Sequence, residues 1–314
     1  METIYKSITD YALDQARNGV RVLPGNKGTY WAGYEFGAMM RIPTFHLTQP
    51  TPHELRSVFW RGRVAIASYL LEPDERHAPN AWLYLCTDQS YALDKLAPPV
   101  RRNVRRGLKE LSIVPLTAEQ MLMNGVQAFC DTRRRAGLSD GTPDEFRRQL
   151  GIRASLPEVT FLGAWRGTEL AAFLTITAVD DWAELGCYSA DSMLCYRPND
   201  ALMYSVLSHC LVERKCRVVS YGLSSIQAES NADGLHRFKT KLGFESRLVH
   251  RAFVPHPLLY PFINNLSVWG VNTALKFRSG DRRLKKLGGM LDCLLGKVHI
   301  PGLEEINANE EKGT

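Results

Sequence analysis

The sequence predicts a mixed α/β (α+β) fold in two packed halves, and three observations carry that prediction. At 314 residues the chain exceeds the usual size of one hydrophobic core. With 45% hydrophobic and 23% charged residues, its composition is that of an ordinary globular protein, apart from a polar tail at 307–314. From Val159 onward the elements read as meander, helix, strand, helix, strand, a mixed layer whose sheet splays where parallel and antiparallel strands meet. The expected divisions are an N-terminal half at 1–155, a C-terminal half at 156–254 and an extension at 255–314.

Short β-like runs at 28–34, 64–71 and 82–86 alternate with turn signals, and residues 52–61 read as a helix. After Pro98-Pro99, Val100, Val104, Leu108 and Leu111 recur at helical spacing. The opposite face carries Arg101, Arg102, Arg105, Arg106 and Lys109. Helices follow at 118–135 and 143–151, opened by Thr117 and Thr142 as N-caps. Runs at 159–165, 169–179 and 182–189 form an antiparallel meander, with a turn at Arg166-Gly167-Thr168. A helix at 200–215, a strand at 217–221, a loop at 222–230, a short helix and a strand at 244–253 complete the second half.

That short helix is the most informative segment. Asn231 is placed to cap it, Asp233 complements its dipole, and Gly243 sits where a left-handed residue ends a helix. At roughly 100° per residue, Leu235, Phe238 and Leu242 form one apolar stripe, and Lys239 falls within it. Burying an ammonium is costly unless it is paired or loses its proton. Lys239 therefore either stabilises charge in a cleft or snorkels to the surface along its four-carbon stem.

The seven cysteines are scattered and form no C-x-x-C pair, which predicts reduced, mostly buried thiols. The histidines show no H-x-x-x-H or H-E-x-x-H spacing, so no structural metal is expected. No signal-peptide pattern and no run of 18 apolar residues is present, which predicts a cytoplasmic protein. The net charge of +6 points weakly to phosphate-bearing or membrane partners. Residues 252–275 carry no Asp, Glu, Lys or Arg, and Lys276, Arg278, Arg282, Arg283, Lys285 and Lys286 follow. Prolines and asparagines interrupt the uncharged stretch, which predicts a packed extension; the alternative is peripheral membrane contact through 276–286.

Three segments carry a resemblance to a known family: Leu96-Ala-Pro-Pro-Val-Arg-Arg-Asn-Val-Arg-Arg-Gly-Leu-Lys109, the passage from Tyr188-Ser-Ala-Asp191 to Leu202, and Gly234-Leu-His-Arg-Phe-Lys-Thr-Lys-Leu-Gly-Phe244. With the order of elements, they resemble the Fem-like branch of the GNAT acyltransferase superfamily, over roughly residues 20–253. The branch includes peptidyltransferases that use aminoacyl-tRNA, and acetyltransferase-like relatives. The resemblance implies tandem GNAT-like halves, each a mixed, splayed sheet flanked by helices, with the N-terminal half degenerate. It also implies transfer of an activated acyl or aminoacyl group to an amine acceptor. Acyl-CoA or aminoacyl-tRNA would be a co-substrate, and no cofactor would be tightly bound. Residues 189–200 contain none of the glycines that let an ordinary GNAT hold the CoA pyrophosphate, so the donor stays open between the two.

Amine attack on either donor creates a tetrahedral oxyanion, and Lys239 is the candidate to stabilise it, since an ammonium on the inward helix face can reach a cleft between splayed strands. Glu184, Asp191 and His236 are candidate bases, Tyr188 a candidate proton donor, and Phe238 and Arg237 neighbours in the binding segment. The basic helix face, Arg101 to Lys109, is suited to tRNA phosphates, a CoA 3′-phosphate or an acidic acceptor; it is equally what a solvated helix face looks like. The rival function is a catalytically silent module of the same fold that binds nucleic acid or an anionic membrane surface.

Overall fold

The computed structural model describes residues 6–34, 37–137, 141–224, 232–278 and 281–297. In chain order its elements are α1 (Ile8–Arg17), β1 (Val22–Pro24), β2 (Tyr30–Tyr34), β3 (Ala38–Ile42), α2 (Pro52–Gly62), β4 (Ile66–Leu71) and β5 (Ala81–Cys86). Next come α3 (Pro98–Glu110), β6 (Ser112–Leu116), α4 (Ala118–Asn124), α5 (Val126–Arg135) and α6 (Pro143–Ala154). These lead into β7 (Val159–Arg166), β8 (Glu169–Val179), β9 (Trp182–Ser189), α7 (Pro198–Leu207) and β10 (Val218–Leu223). The chain closes with α8 (Ala232–Lys241), β11 (Glu245–Pro255), α9 (Asn265–Phe277) and α10 (Arg282–Leu294). The fold is mixed α/β, with mixed sheets flanked by helices.

The chain divides into two compact units, each discontinuous in sequence. Unit 1 comprises Met1–Asp14, Tyr84–Gly222 and Phe238–Glu245; unit 2 comprises Gln15–Leu83, Leu223–Arg237 and Ser246–Thr314. The expected cuts at 155 and 254 run along the chain, whereas these units are assembled from separated segments. One reason is visible inside unit 2, where β11 pairs antiparallel with β4 from His250↔Leu71 to Pro255↔Ile66.

In unit 1 the strand order is β5-β10-β9-β8-β7-β6. Strands β6 to β9 are antiparallel neighbours, and the meander β7-β8-β9 has the predicted limits within a residue. Strand β10 runs parallel to its neighbour β9, and their register ends at Ser220↔Glu184 although β9 continues to Ser189 and β10 to Leu223. The two strands part there, which is the splay expected at a parallel–antiparallel junction. One core of this unit gathers Met121, Phe129, Phe146, Leu150, Phe161 and Phe173.

Unit 2 has the order β1-β2-β3-β4-β11, with β3 and β4 parallel. Its core is built on Trp31, Met39, Val58, Phe59, Tyr69 and Leu71. Buried Arg41 and Glu54 are held inside it, Trp31 Nε1 donating to Glu54 Oε1 at 2.7 Å.

Four local readings are corrected. The expected helix 118–135 is two helices: Thr117 and Gln120 close a capping box on α4, and α5 restarts at Gly125, where an added Cβ would lie 2.7 Å from Met121 O and 2.9 Å from Phe173 Cε1. On α3 the buried stripe is Val100, Val104 and Gly107, and Leu108 is exposed. Gly107 replaces Leu108 because α7 approaches so closely that a Cβ there would meet Ala201 Cβ and Arg197 O, each at 2.8 Å. Residues Asp191–Tyr196 form a three-ten helix within the stretch read as loop. Leu235 is exposed, because α8 buries mainly its last turn, at Lys239 and Leu242. Asn231 and the 225–230 part of the loop lie outside the described residues.

Gly107→Ala should destabilise the protein by about 1–3 kcal/mol, since the α7 backbone carbonyl must move to admit the methyl. Gly151→Ala, on α6 where a Cβ meets nothing within 4 Å, should instead stabilise by roughly 0.5–1 kcal/mol. Urea denaturation of the two variants beside wild type checks both signs.

Candidate active site

The end of α8 delivers Lys239 inward because the helix stops there in a fixed way. Gly243 adopts φ +98°, its N–H bonds to Thr240 O at 3.1 Å, and Phe244 N–H reaches back to Lys239 O at 3.4 Å. This is the six-to-one and five-to-two pattern of a glycine-terminated helix, as the sequence predicts. Tyr91 Oη donates to Leu242 O at 2.9 Å, and Lys241 Nζ binds the buried Asp200 carboxylate of α7 at 2.7 Å.

Lys239 is 2% exposed. It does not snorkel. Its Nζ donates to Tyr221 O at 3.1 Å and lies 3.9 Å from the Tyr84 ring centroid and 4.7 Å from that of Tyr221. Burial pulls its pKa down to about 7, while the carbonyl and the two ring faces favour the charged form. Tyr84 comes from β5 and Tyr221 from β10, one residue past the last β9–β10 pair. The ammonium therefore sits under two aromatic faces where the sheet begins to part.

Tyr221 is itself locked. Its ring meets Phe238 and Phe244 edge-on at 6.5 and 5.6 Å. Burial holds its hydroxyl far above the ordinary phenol pKa, and Cys187 and Tyr188 add to that push. Cys187 Sγ donates to Asn199 Oδ1 at 3.4 Å, and burial pushes this thiol up to about 12 against the pull of Arg135.

The other sequence candidates are dispersed. Tyr188 stacks on Phe173 at 4.9 Å and tilts against Phe129 at 5.3 Å, within the core built on α5 and α6. Glu184 lies two pleats earlier on the same face of β9 and is half-buried; burial raises its pKa and Arg153 opposes the rise. Asp191 is ion-paired with Arg135, and its N–H donates to Asp131 Oδ2 at 2.9 Å, so it anchors the three-ten helix. His236 packs on Trp82 at 5.5 Å in unit 2. Arg237 is exposed and Phe238 half-buried. On α3, Arg102, Arg105, Arg106 and Lys109 are exposed, and Arg101 is half-buried with Nη1 donating to Asp94 O at 3.3 Å. Sequence reasoning missed Tyr84 and Tyr221, which no local spacing links to Lys239.

Among the described residues, no group of His, Cys, Asp and Glu is arranged to hold a metal ion, and no helix is long and apolar enough to cross a membrane. The N-terminus of α7 contains Pro198, Asn199 and Asp200 after left-handed Arg197. Its positive end is thus matched by a carboxylate of the chain itself, already neutralised by Lys241.

Solved structures resemble the chain at low identity. FemX matches over 81% of this chain and 93% of its own, with a TM-score of 0.53 and 9% identity. A C-terminal domain (DUF2156) assigned to a lysylphosphatidylglycerol synthetase of Agrobacterium fabrum matches over 78% and 90%, with a TM-score of 0.51 and 15% identity. A conserved protein of unknown function from Bacteroides thetaiotaomicron matches over 79% and 91%, with a TM-score of 0.51 and 10% identity. No family model and no curated protein matches the chain. The likeness is one of fold, and FemX has that fold.

The buried lysine has a stability signature. Between about pH 7 and 10.5 the native state binds fewer protons at Lys239 than the unfolded chain does. Its destabilising contribution is therefore complete below pH 7 and fades as the pH rises toward 10.5. Lys239→Met should raise the melting temperature at pH 6–7, with a gain of up to about 5 kcal/mol by the pKa difference, and the gain should vanish near pH 10.5. Thermal melts of the two proteins across that range check it.

Proposed function

We propose that the protein transfers an aminoacyl group from an aminoacyl-tRNA to an amine acceptor, with Lys239 as the cation that stabilises the tetrahedral oxyanion. The observation that carries this reading is the caged ammonium of Lys239 where β9 and β10 part. A silent binding module gains nothing from so costly a burial, whereas an acyl transferase needs a positive charge in a place that excludes water.

The chemistry follows from the ester. The neutral amine attacks the carbonyl carbon, a C–N bond forms and the carbonyl pair moves onto oxygen. Collapse then breaks the ester C–O bond, and the departing ribose oxygen takes up the proton that the nitrogen gives away. One charged donor near that oxygen lowers the barrier by ~3 kcal/mol. The ester is already activated, so no tightly bound cofactor is required. Proton loss to water suffices for the base, since Asp191 is paired with Arg135 and His236 packs on Trp82.

Two features favour aminoacyl-tRNA over acyl-CoA as donor. The pyrophosphate position of an ordinary GNAT corresponds to the start of α7, where this chain has no glycine loop and places buried Asp200, paired with half-buried Lys241. A second anion there would meet a carboxylate. Beside α7, packed through Gly107, α3 exposes Arg102, Arg105, Arg106 and Lys109, a face suited to phosphates of a nucleic acid backbone.

Thermal stability with charged tRNA and with acetyl-CoA decides the donor. A ligand at a hundred times its Kd should stabilise the native state by ~2.7 kcal/mol. Stabilisation by charged tRNA, weakening steeply with salt, is expected; stabilisation by acetyl-CoA alone would make this an acyl-CoA enzyme. With labelled donor, Lys239→Met should lower turnover by roughly a hundredfold or more. The wild-type rate should fall as the pH rises through about 7, where Lys239 loses its proton. A limb near pH 7 that rises instead, and is lost in Lys239→Met, would reassign Lys239 as the base.

A further inference from the structure

The C-terminal part of unit 2 reverses the usual amphipathic arrangement. On α9 the buried side is Val271, which faces α10, with Gly288 an added Cβ's contact away at 3.6 Å. At roughly 100° per residue the outward strip is Leu266, Trp269, Gly270 and Phe277. All four are exposed, Leu266 at 72%, Trp269 at 65% and Phe277 at 85%. The three-ten helix before it, Pro257–Phe262, adds exposed Leu258, Tyr260 and Phe262. The extension packs through Val271, Met290 and Leu291, yet the uncharged stretch also turns several of its large apolar side chains to solvent.

Charge is distributed to match. No carboxylate occurs between Glu245 and Asp281, while exposed Lys276, Arg278 and Arg283 close the stretch. Aromatic and aliphatic groups exposed along one stretch, with Lys276 and Arg278 at its margin and its first acid, Asp281, engaged in capping α10, are complementary to the interface of an anionic bilayer. Tryptophan and tyrosine are the side chains that settle at headgroup depth. The polar side chain that falls within the outward strip is Thr273, and it is half-buried.

We propose that the exposed side chains of 257–278, with Arg283, form a peripheral membrane-docking surface, in which Leu258, Tyr260, Phe262, Leu266, Trp269 and Phe277 enter the interface of an anionic lipid leaflet and Lys276, Arg278 and Arg283 hold its headgroups. The surface stands independently of the transfer chemistry. A protein that fails to transfer an acyl group can still dock, and an active one can fail to.

The test is co-sedimentation of the full chain with vesicles of phosphatidylcholine alone and of phosphatidylcholine with phosphatidylglycerol, paired with size-exclusion chromatography without lipid. Binding to the mixed vesicles and weak binding to phosphatidylcholine are expected. W269S/F277S should reduce partitioning on the order of tenfold or more while leaving the melting temperature unchanged, because both side chains are already exposed. K276Q/R278Q/R283Q should reduce it by roughly fivefold per charge at low salt, and less as salt is added. Failure to sediment with anionic vesicles, or sedimentation that neither variant weakens, overturns the proposal. So does a dimer in lipid-free solution that W269S/F277S dissociates, since a second copy would then cover this face.

Discussion

The ammonium of Lys239 is the constraint around which unit 1 is arranged. A lysine at 2% exposure is tolerable only if several neighbours hold it at once. The Tyr221 carbonyl accepts from it, and the faces of Tyr84 and Tyr221 lie against it. Each of those partners has its own requirement. Tyr221 is available because the β9–β10 ladder has ended one residue earlier, freeing its carbonyl from sheet pairing with β9. Helix α8 must stop within a residue of its present end, which the left-handed Gly243 ensures, and Tyr91 fills the space where a Cβ at Gly243 would stand, 3.0 Å from Cε2. The parting strands, the glycine stop and the aromatic cage are one device seen from three elements.

The same region shows how a helix N-terminus can be answered from within the chain. A helix N-terminus offers oriented N–H groups and a partial positive charge, and a nucleotide pyrophosphate is one way to answer them. In this chain Asp200 answers from inside the first turn of α7, and Lys241 neutralises it from the last turn of α8. That pair serves a second purpose, since it ties the helix bearing Lys239 to α7. Replacing a ligand's charge with an internal ion pair exchanges binding for rigidity. The cations on the outer face of α3 reach solvent, because Gly107 lets the other face lie flush on α7.

Much of this was legible in the sequence where the signal is local. Strands β8 and β9 match their predicted limits because alternation and turns define them within a few residues. Gly243 and Thr117 were readable for the same reason: a stop or a cap is a property of neighbouring residues. The unexpected inward lysine was readable too, since a charge in an apolar stripe violates a local rule. What sequence could not supply was contact across distance. Nothing near Tyr84 says that its ring covers Lys239, and nothing near Leu108 says that α7 comes so close that glycine, not leucine, must take the inward position. The pairing of Asp191 with Arg135, which makes an apparent base into an anchor, is likewise visible only in three dimensions.

The residues after Pro257 expose an assumption in reading periodicity itself. Apolar residues at helical spacing mark a face that avoids water, and in a globular chain that face is usually assigned to the core. On α9 the spacing is real, but the inward contact is made by Val271 with half-buried Val268 and Leu275 beside it, and the strip of Leu266, Trp269 and Phe277 points the other way. The composition held the clue that the periodicity lacked. A core needs apolar residues but is indifferent to the charges on the loops beside it. An interfacial face needs both the apolar strip and cations at its margin, and Lys276 and Arg278 stand in a segment without a carboxylate between Glu245 and Asp281, with Arg283 just beyond it. Charge pattern therefore separates the two readings where hydrophobicity alone does not.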